Sequence, residues 1–123
     1  MVRMEYYEDR NILNVELKGR IGLEEMMAYC ARFIKDLSLP RSLKILEDAR
    51  NAELDYDIDD VDQINHMIGE QIGNSRFIKH ALIRNKPMET AFGVMRVEAN
   101  DNYQYSPKVF STPQGALQWL SRD

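Results

Sequence analysis

After a short opening hairpin, the hydrophobic pattern of this chain switches four times from an alternating period to a helical one. That alternation of strand and helix restricts it to an α/β fold, because each crossover helix returns the chain to a parallel strand. Residues 4–8 read as a first strand and 8–11 as a polar turn. In residues 12–18, Leu13, Val15 and Leu17 alternate with Asn14, Glu16 and Lys18 as a second strand. So short a connection predicts an antiparallel pair.

Residues 23–37 place Leu23, Met26, Met27, Cys30, Phe33, Ile34 and Leu37 on one helical face. Glu24 and Glu25 open that helix and Lys35 closes it, the signs its dipole favours. A strand follows over 43–49, with Leu43, Ile45 and Leu46 as its apolar core. The next helix, 57–73, carries the stripe Ile58, Val61, Ile64, Ile68 and Ile72 between a capping Asp57 and the stop at Gly73. Met67 falls off the stripe and is expected at the surface. Residues 77–84 form a strand, and Pro87 suits the first turn of a third helix. The expected buried face of that helix is Met88, Ala91, Phe92, Met95 and Ala99. A short strand at 108–110 precedes a last helix capped by Ser111 or Thr112, with Ala116, Leu117 and Leu120 facing inward. The order β-β-α-β-α-β-α-β-α predicts one domain over residues 1–123. Its architecture is an open, mostly parallel five-stranded sheet with four helices.

Composition sets bounds on function. With 123 residues, 44% hydrophobic and 29% charged, the chain has the makeup of a folded domain rather than a disordered one. A net charge of −4 argues against general affinity for nucleic acid or anionic lipid. No apolar run approaches the roughly 18–20 residues of a membrane span. The opening residues lack the apolar core of a secretory signal. A single cysteine, Cys30, excludes an internal disulfide, and its place on an apolar stripe suits a small hydrophobe. Together these features predict a cytoplasmic protein.

Motifs for catalysis are missing. The chain has no Gly-x-Ser-x-Gly elbow, no Gly-x-Gly-x-x-Gly or Walker loop and no His-Glu-x-x-His pair. Glu53, Asp55, Asp57, Asp59, Asp60 and Asp62 form a run of carboxylates that suggests a calcium loop. Asp60 and His66 occupy the places that need Gly and Glu. The run is better read as carboxylates at a helix N-terminus, or as an acidic recognition surface. His66 and Glu70 lie one turn apart, too few ligands for zinc. His80 sits within a strand and is expected to be hydrogen-bonded and partly buried. Neither a metal, a cofactor nor a catalytic residue is expected.

Open α/β sheets bind ligands at the carboxyl ends of their strands. Arg20, the segment Asp48, Ala49, Arg50 and Asn51, and Lys86 fall at those ends. Arg20, Arg50 and Lys86 near helix N-termini would suit an anion. Pairing of the same cations with Asp48 or with the acidic run is the alternative.

Three segments carry a family resemblance. The first is Leu43 to Arg50, a strand ending in an Asp-x-Arg turn. The second is His80 to Ile83, followed by Pro87 and the helix of Ala91, Phe92 and Gly93. The third is Val109 to Leu120, closing with Ala116, Trp119 and Leu120. In this order they resemble the STAS domain (sulfate transporter and anti-sigma-factor antagonist), and more closely the stand-alone STAS/SEC14, SpoIIAA-like proteins of bacteria. The resemblance implies a non-enzymatic regulatory module that binds a protein partner, with small-ligand or lipid binding of SEC14-like type as the alternative. Strand ends and the acidic run together put the expected partner or ligand contacts at Arg20, Asp48, Arg50, Asn51, Asp55, Asp57, Asp59 and Lys86. A protein partner, a small apolar or anionic ligand and a second copy of the chain are the candidate occupants. The antagonists carry a phosphorylated Ser after the third strand; residues 50–63 here contain neither Ser nor Thr. Carboxylates at that place would mimic a permanently negative state.

Overall fold

The computed structural model describes residues 1–122. Its elements are β1 (Val2–Tyr7), β2 (Ile12–Gly22), α1 (Leu23–Lys35), β3 (Ser42–Asp55), α2 (Ile58–Ile72), β4 (Phe77–Ile83), α3 (Pro87–Ala99), β5 (Tyr105–Phe110) and α4 (Pro113–Leu120). The five strands lie side by side in chain order. β1 runs antiparallel to β2 and every later pair is parallel, as the element order predicts. Because the order never reverses, the sheet has no switch point at which two crossovers diverge and open a crevice.

The helices divide unequally between the faces. α1, α2 and α3 pack beside one another, and α4 lies against β3, β4 and β5. The main core joins Leu13, Val15, Leu17, Leu43, Ile45 and Ile78 to Met26, Phe33, Ile64, Ile68 and Phe92 of the three helices. A smaller cluster sets Ala116 and Leu120 of α4 on Ala81 and Ile83, with Leu46, Phe110 and Trp119 around it. Trp119 and Leu120 thus fix the last helix to the sheet. Along β1 and β2 the α4 side stays open, and Arg3, Glu5, Asn14, Glu16, Asp48 and Arg50 line a groove there of about 450 Å³.

Two strands outrun their expected ends. β2 continues to Gly22 and β3 to Asp55, paired through Gly22↔Asp55. The register slips between Glu16↔Asp48 and Lys18↔Asn51, so β3 carries one residue more than β2 there. Sequence alternation alone stops at this irregularity. Before it, Leu43, Ile45, Glu47 and Ala49 face the main core; after it, Ala52 and Leu54 do. The expected Asp-x-Arg turn is this bulge. Asp48 Oδ1 accepts from the Arg50 backbone N–H and Nε, both at 3.0 Å, and Oδ2 accepts from Nη2 at 2.7 Å.

Several helical faces are rotated from the expected ones. Met67 is buried on α2, whereas Ile58 is half exposed. Leu37 lies beyond α1 and is fully solvated, and Tyr29 takes a core place instead. The buried face of α3 is Glu89, Phe92, Gly93 and Arg96; Met88 and Ala91 are exposed. Gly93 is required there, since a Cβ would stand 2.9 Å from Val109 Cγ2. Arg76, which carries no hydrophobic signal, caps the end of α1. Its guanidinium donates to the carbonyls of Ile34, Asp36, Leu39 and Pro40. No helix of the described residues is long and apolar enough to cross a membrane.

Candidate functional site

The expected site residues fall into three groups. At the rim, Arg20 on β2 and Asp55 at the end of β3 form an exposed ion pair, Nε to Oδ2 at 3.0 Å. Asp57 caps α2 in a capping box, with its backbone N–H donating to Asp60 Oδ2 at 2.8 Å. Asp59, in the first turn, and Asn51, on β3, are both exposed. Lys86, exposed before α3, donates from Nζ to the Ala52 carbonyl at 2.6 Å. Asp48 and Arg50 clasp each other on the sheet face opposite α1, α2 and α3, and this pairing holds the Asp48 carboxyl below its usual range. The cationic convergence expected of Arg20, Arg50 and Lys86 does not form. Each cation has a local acceptor, two of them carboxylates, as the alternative reading had it.

The more unusual feature is internal. Tyr29, Glu47, His80, Arg84, Arg96 and Tyr105 form a polar cluster whose members are between 0 and 2% exposed. Its hydrogen bonds assign the protons. Arginine only donates, so the Tyr105 hydroxyl accepts from Arg96 Nη2 at 2.6 Å. An ionised carboxylate only accepts, so His80 Nε2, 3.0 Å from Glu47 Oε1, carries the ring proton and donates to it. Nδ1 of the neutral ring is then an acceptor, and the Tyr105 hydroxyl donates to it at 2.6 Å. Glu47 Oε1 also accepts from the Tyr29 hydroxyl at 2.7 Å. Arg84 Nη2 donates to Glu47 Oε2. Arg84 Nε and both Nε and Nη1 of Arg96 have no acceptor among the described residues.

This arrangement holds each group in one charge state. Burial pushes His80 down to about 4, against the pull of Glu47, so the imidazole is neutral near pH 7. Burial alone would push Glu47 up, but Arg84, His80 and Arg96 overcome it and hold the carboxyl well below its usual range. Burial raises the Cys30 thiol to about 12, keeping it a protonated, small hydrophobe. Burial, with Glu47 close by, also raises Tyr29 well above an ordinary phenol. Histidine, cysteine, tyrosine and carboxylate meet here, but none is open to a substrate and no nucleophile is activated.

Strand parity could have revealed this cluster. Leu43, Ile45, Glu47 and Ala49 alternate along one strand, and Ile78, His80, Leu82 and Arg84 along another. Tyr29 follows Met26 by three positions and Arg96 follows Phe92 by four, so both share an apolar helical face. Charge type concealed what spacing disclosed.

No family model matches the chain, and no curated protein sequence matches it. Solved structures do. An uncharacterized protein from the DUF3478 family with a SpoIIAA-like fold, from Shewanella loihica PV-4, superposes with a TM-score of 0.59 at 15% identity, over 98% of this chain and 92% of that one. The anti-sigma factor antagonist SpoIIAA in its unphosphorylated form superposes with a TM-score of 0.55 at 10% identity, over 98% of this chain and 97% of that one. The chain thus has the SpoIIAA-like fold, as its three segments suggested.

Proposed function

We propose that the chain is a non-enzymatic regulatory module that takes a protein partner at the rim where β3 passes into α2. The observation that carries this reading is the distribution of polar groups. Tyr29, Cys30, Glu47, His80 and Tyr105 are sealed in the core, while Arg20, Asn51, Asp55, Asp57 and Asp59 stand exposed about the end of β3 and the start of α2. Asp48, Arg50 and Lys86 brace the strand from which that junction emerges. The likeness to an anti-sigma factor antagonist supports a regulatory role. With no Ser or Thr in residues 50–63, the carboxylates supply a fixed negative charge in place of one added by phosphorylation.

Reversal of charge tests the reading. A bacterial lysate is passed over the immobilised protein and over the Asp57→Lys/Asp59→Lys variant. Thermal melting establishes that the variant remains folded. The expected result is a discrete protein retained by the native rim and lost from the variant. Identical retention by both, or none by either, refutes the rim as a partner site.

A further inference from the structure

The two edges of the sheet are not equivalent. β5 carries Pro107, which has no N–H to offer a further strand. β1 has no proline, and among the described residues the only element with which it makes extensive contact is β2. Lys18 N–H donates to the Met1 carbonyl at 3.0 Å, which fixes the alternation of hydrogen bonds along β1. With Val2 opposite Leu17, residues 3, 5 and 7 bond inward to β2. The N–H and C=O groups of Val2, Met4 and Tyr6 therefore point outward from the edge. The side chains of Val2, Met4 and Tyr6 are half-buried on the three-helix side, and Arg3 and Glu5 are exposed on the other. Neither Arg3 nor Glu5 forms an ion pair with another described residue.

We infer that β1 is the interface of a homodimer, pairing antiparallel with β1 of a second copy about a two-fold axis at Met4. The strand is complementary to itself in that register alone. The outward groups on the even-numbered residues and the pleat admit three centres. Centring on Arg3 sets Arg3 against Arg3. Centring on Glu5 sets Glu5 against Glu5. Centring on Met4 sets Arg3 of each copy opposite Glu5 of the other, twice. These ion pairs fall at non-hydrogen-bonded positions, where opposed side chains stand closest. Met4 then meets Met4, and Val2 meets Tyr6, at the hydrogen-bonded positions. The half-buried apolar side chains meet on the helical side, and two five-stranded sheets become one continuous sheet. This interface is separate from the proposed rim and stands or falls without it.

Sedimentation velocity over a concentration series from micromolar to near-millimolar tests the pairing. The native chain is expected to show a monomer–dimer equilibrium. Arg3→Glu and Glu5→Arg, each converting two attractions into repulsions, are expected to weaken the dimer about tenfold or more. The combined Arg3→Glu/Glu5→Arg variant is expected to return within about threefold of the native constant, because the swap rebuilds both pairs. Met4→Pro removes an outward N–H but no β1–β2 hydrogen bond, so it is expected to remain folded by circular dichroism and to be monomeric. A native chain that stays monomeric throughout overturns the inference. So does a dimer indifferent to the single reversals, or one that the combined variant fails to restore.

Discussion

Glu47 and Asp55 are carboxylates on the same strand, β3, with opposite surroundings. Glu47 is wholly buried and held by Arg84, His80 and Tyr29. Asp55 is 56% exposed and meets Arg20 across a neighbouring strand in water. Both positions are odd-numbered, so an uninterrupted strand would turn both toward the helices. The extra residue near Arg50 exchanges the faces between them. One bulge thus separates a charge built into the core from charges left at the exposed rim. The chemical type of a residue did not decide its role here; the parity of the strand beneath it did.

The contrast can be broken most sharply at Glu47. Glu47→Ala leaves Arg84 buried without its counter-charge, and the expected loss of stability is about 3–5 kcal/mol. Urea denaturation of the variant beside the native chain measures it. A loss below about 1 kcal/mol, the range of exposed pairs, would erase the distinction between core and rim.

Acid should sharpen the same contrast. His80 titrates at about 4 in the fold and near its ordinary 6.5 when unfolded. Between those values the unfolded chain takes up a proton that the folded chain refuses, so stability rises with pH through that window and is complete above it. Glu47 acts at lower pH: its carboxyl is held down in the fold, so the stability it supplies is lost as pH falls below its unfolded value. The expected loss from pH 7 to pH 4 is about 3 kcal/mol from His80. Urea midpoints across that range should slope steeply for the native chain and less for His80→Gln. Equal slopes would show that the imidazole is not held neutral by the fold.

The smallest effect belongs to the rim. Asp55→Ala removes a solvent-exposed partner of Arg20, and the expected change is about 0–1 kcal/mol, diminishing with added salt. A thermal melt of the variant checks this. A change comparable to that at Glu47 would mean that the rim carries the fold rather than displaying charge.

The order of elements was legible because it rests on local periodicity, which survives errors at any single position. Pro87 and Thr112 marked helix starts by backbone chemistry that needs no tertiary context. The rim was legible in part: Asp57 caps α2 as its sequence position predicted, and Asp55 and Asp59 lie exposed beside it. The joint anion site was not realised, since Arg20 and Arg50 were claimed by nearby carboxylates and Lys86 by a backbone carbonyl. The buried cluster went unread for another reason. A charge among apolar residues is ordinarily a sign of surface, and only its partners on distant elements make its burial affordable.

By itself the sequence determined the alternation of strands and helices, the antiparallel opening and the helix starts, because these follow from interactions between residues close along the chain. The tertiary structure alone decided which face of β3 each carboxylate occupies, which arginines enter the core and which sheet edge remains open. Those depend on register and on contacts between residues far apart in sequence, such as Glu47 with Arg84 and Tyr29 with His80, which no local pattern encodes.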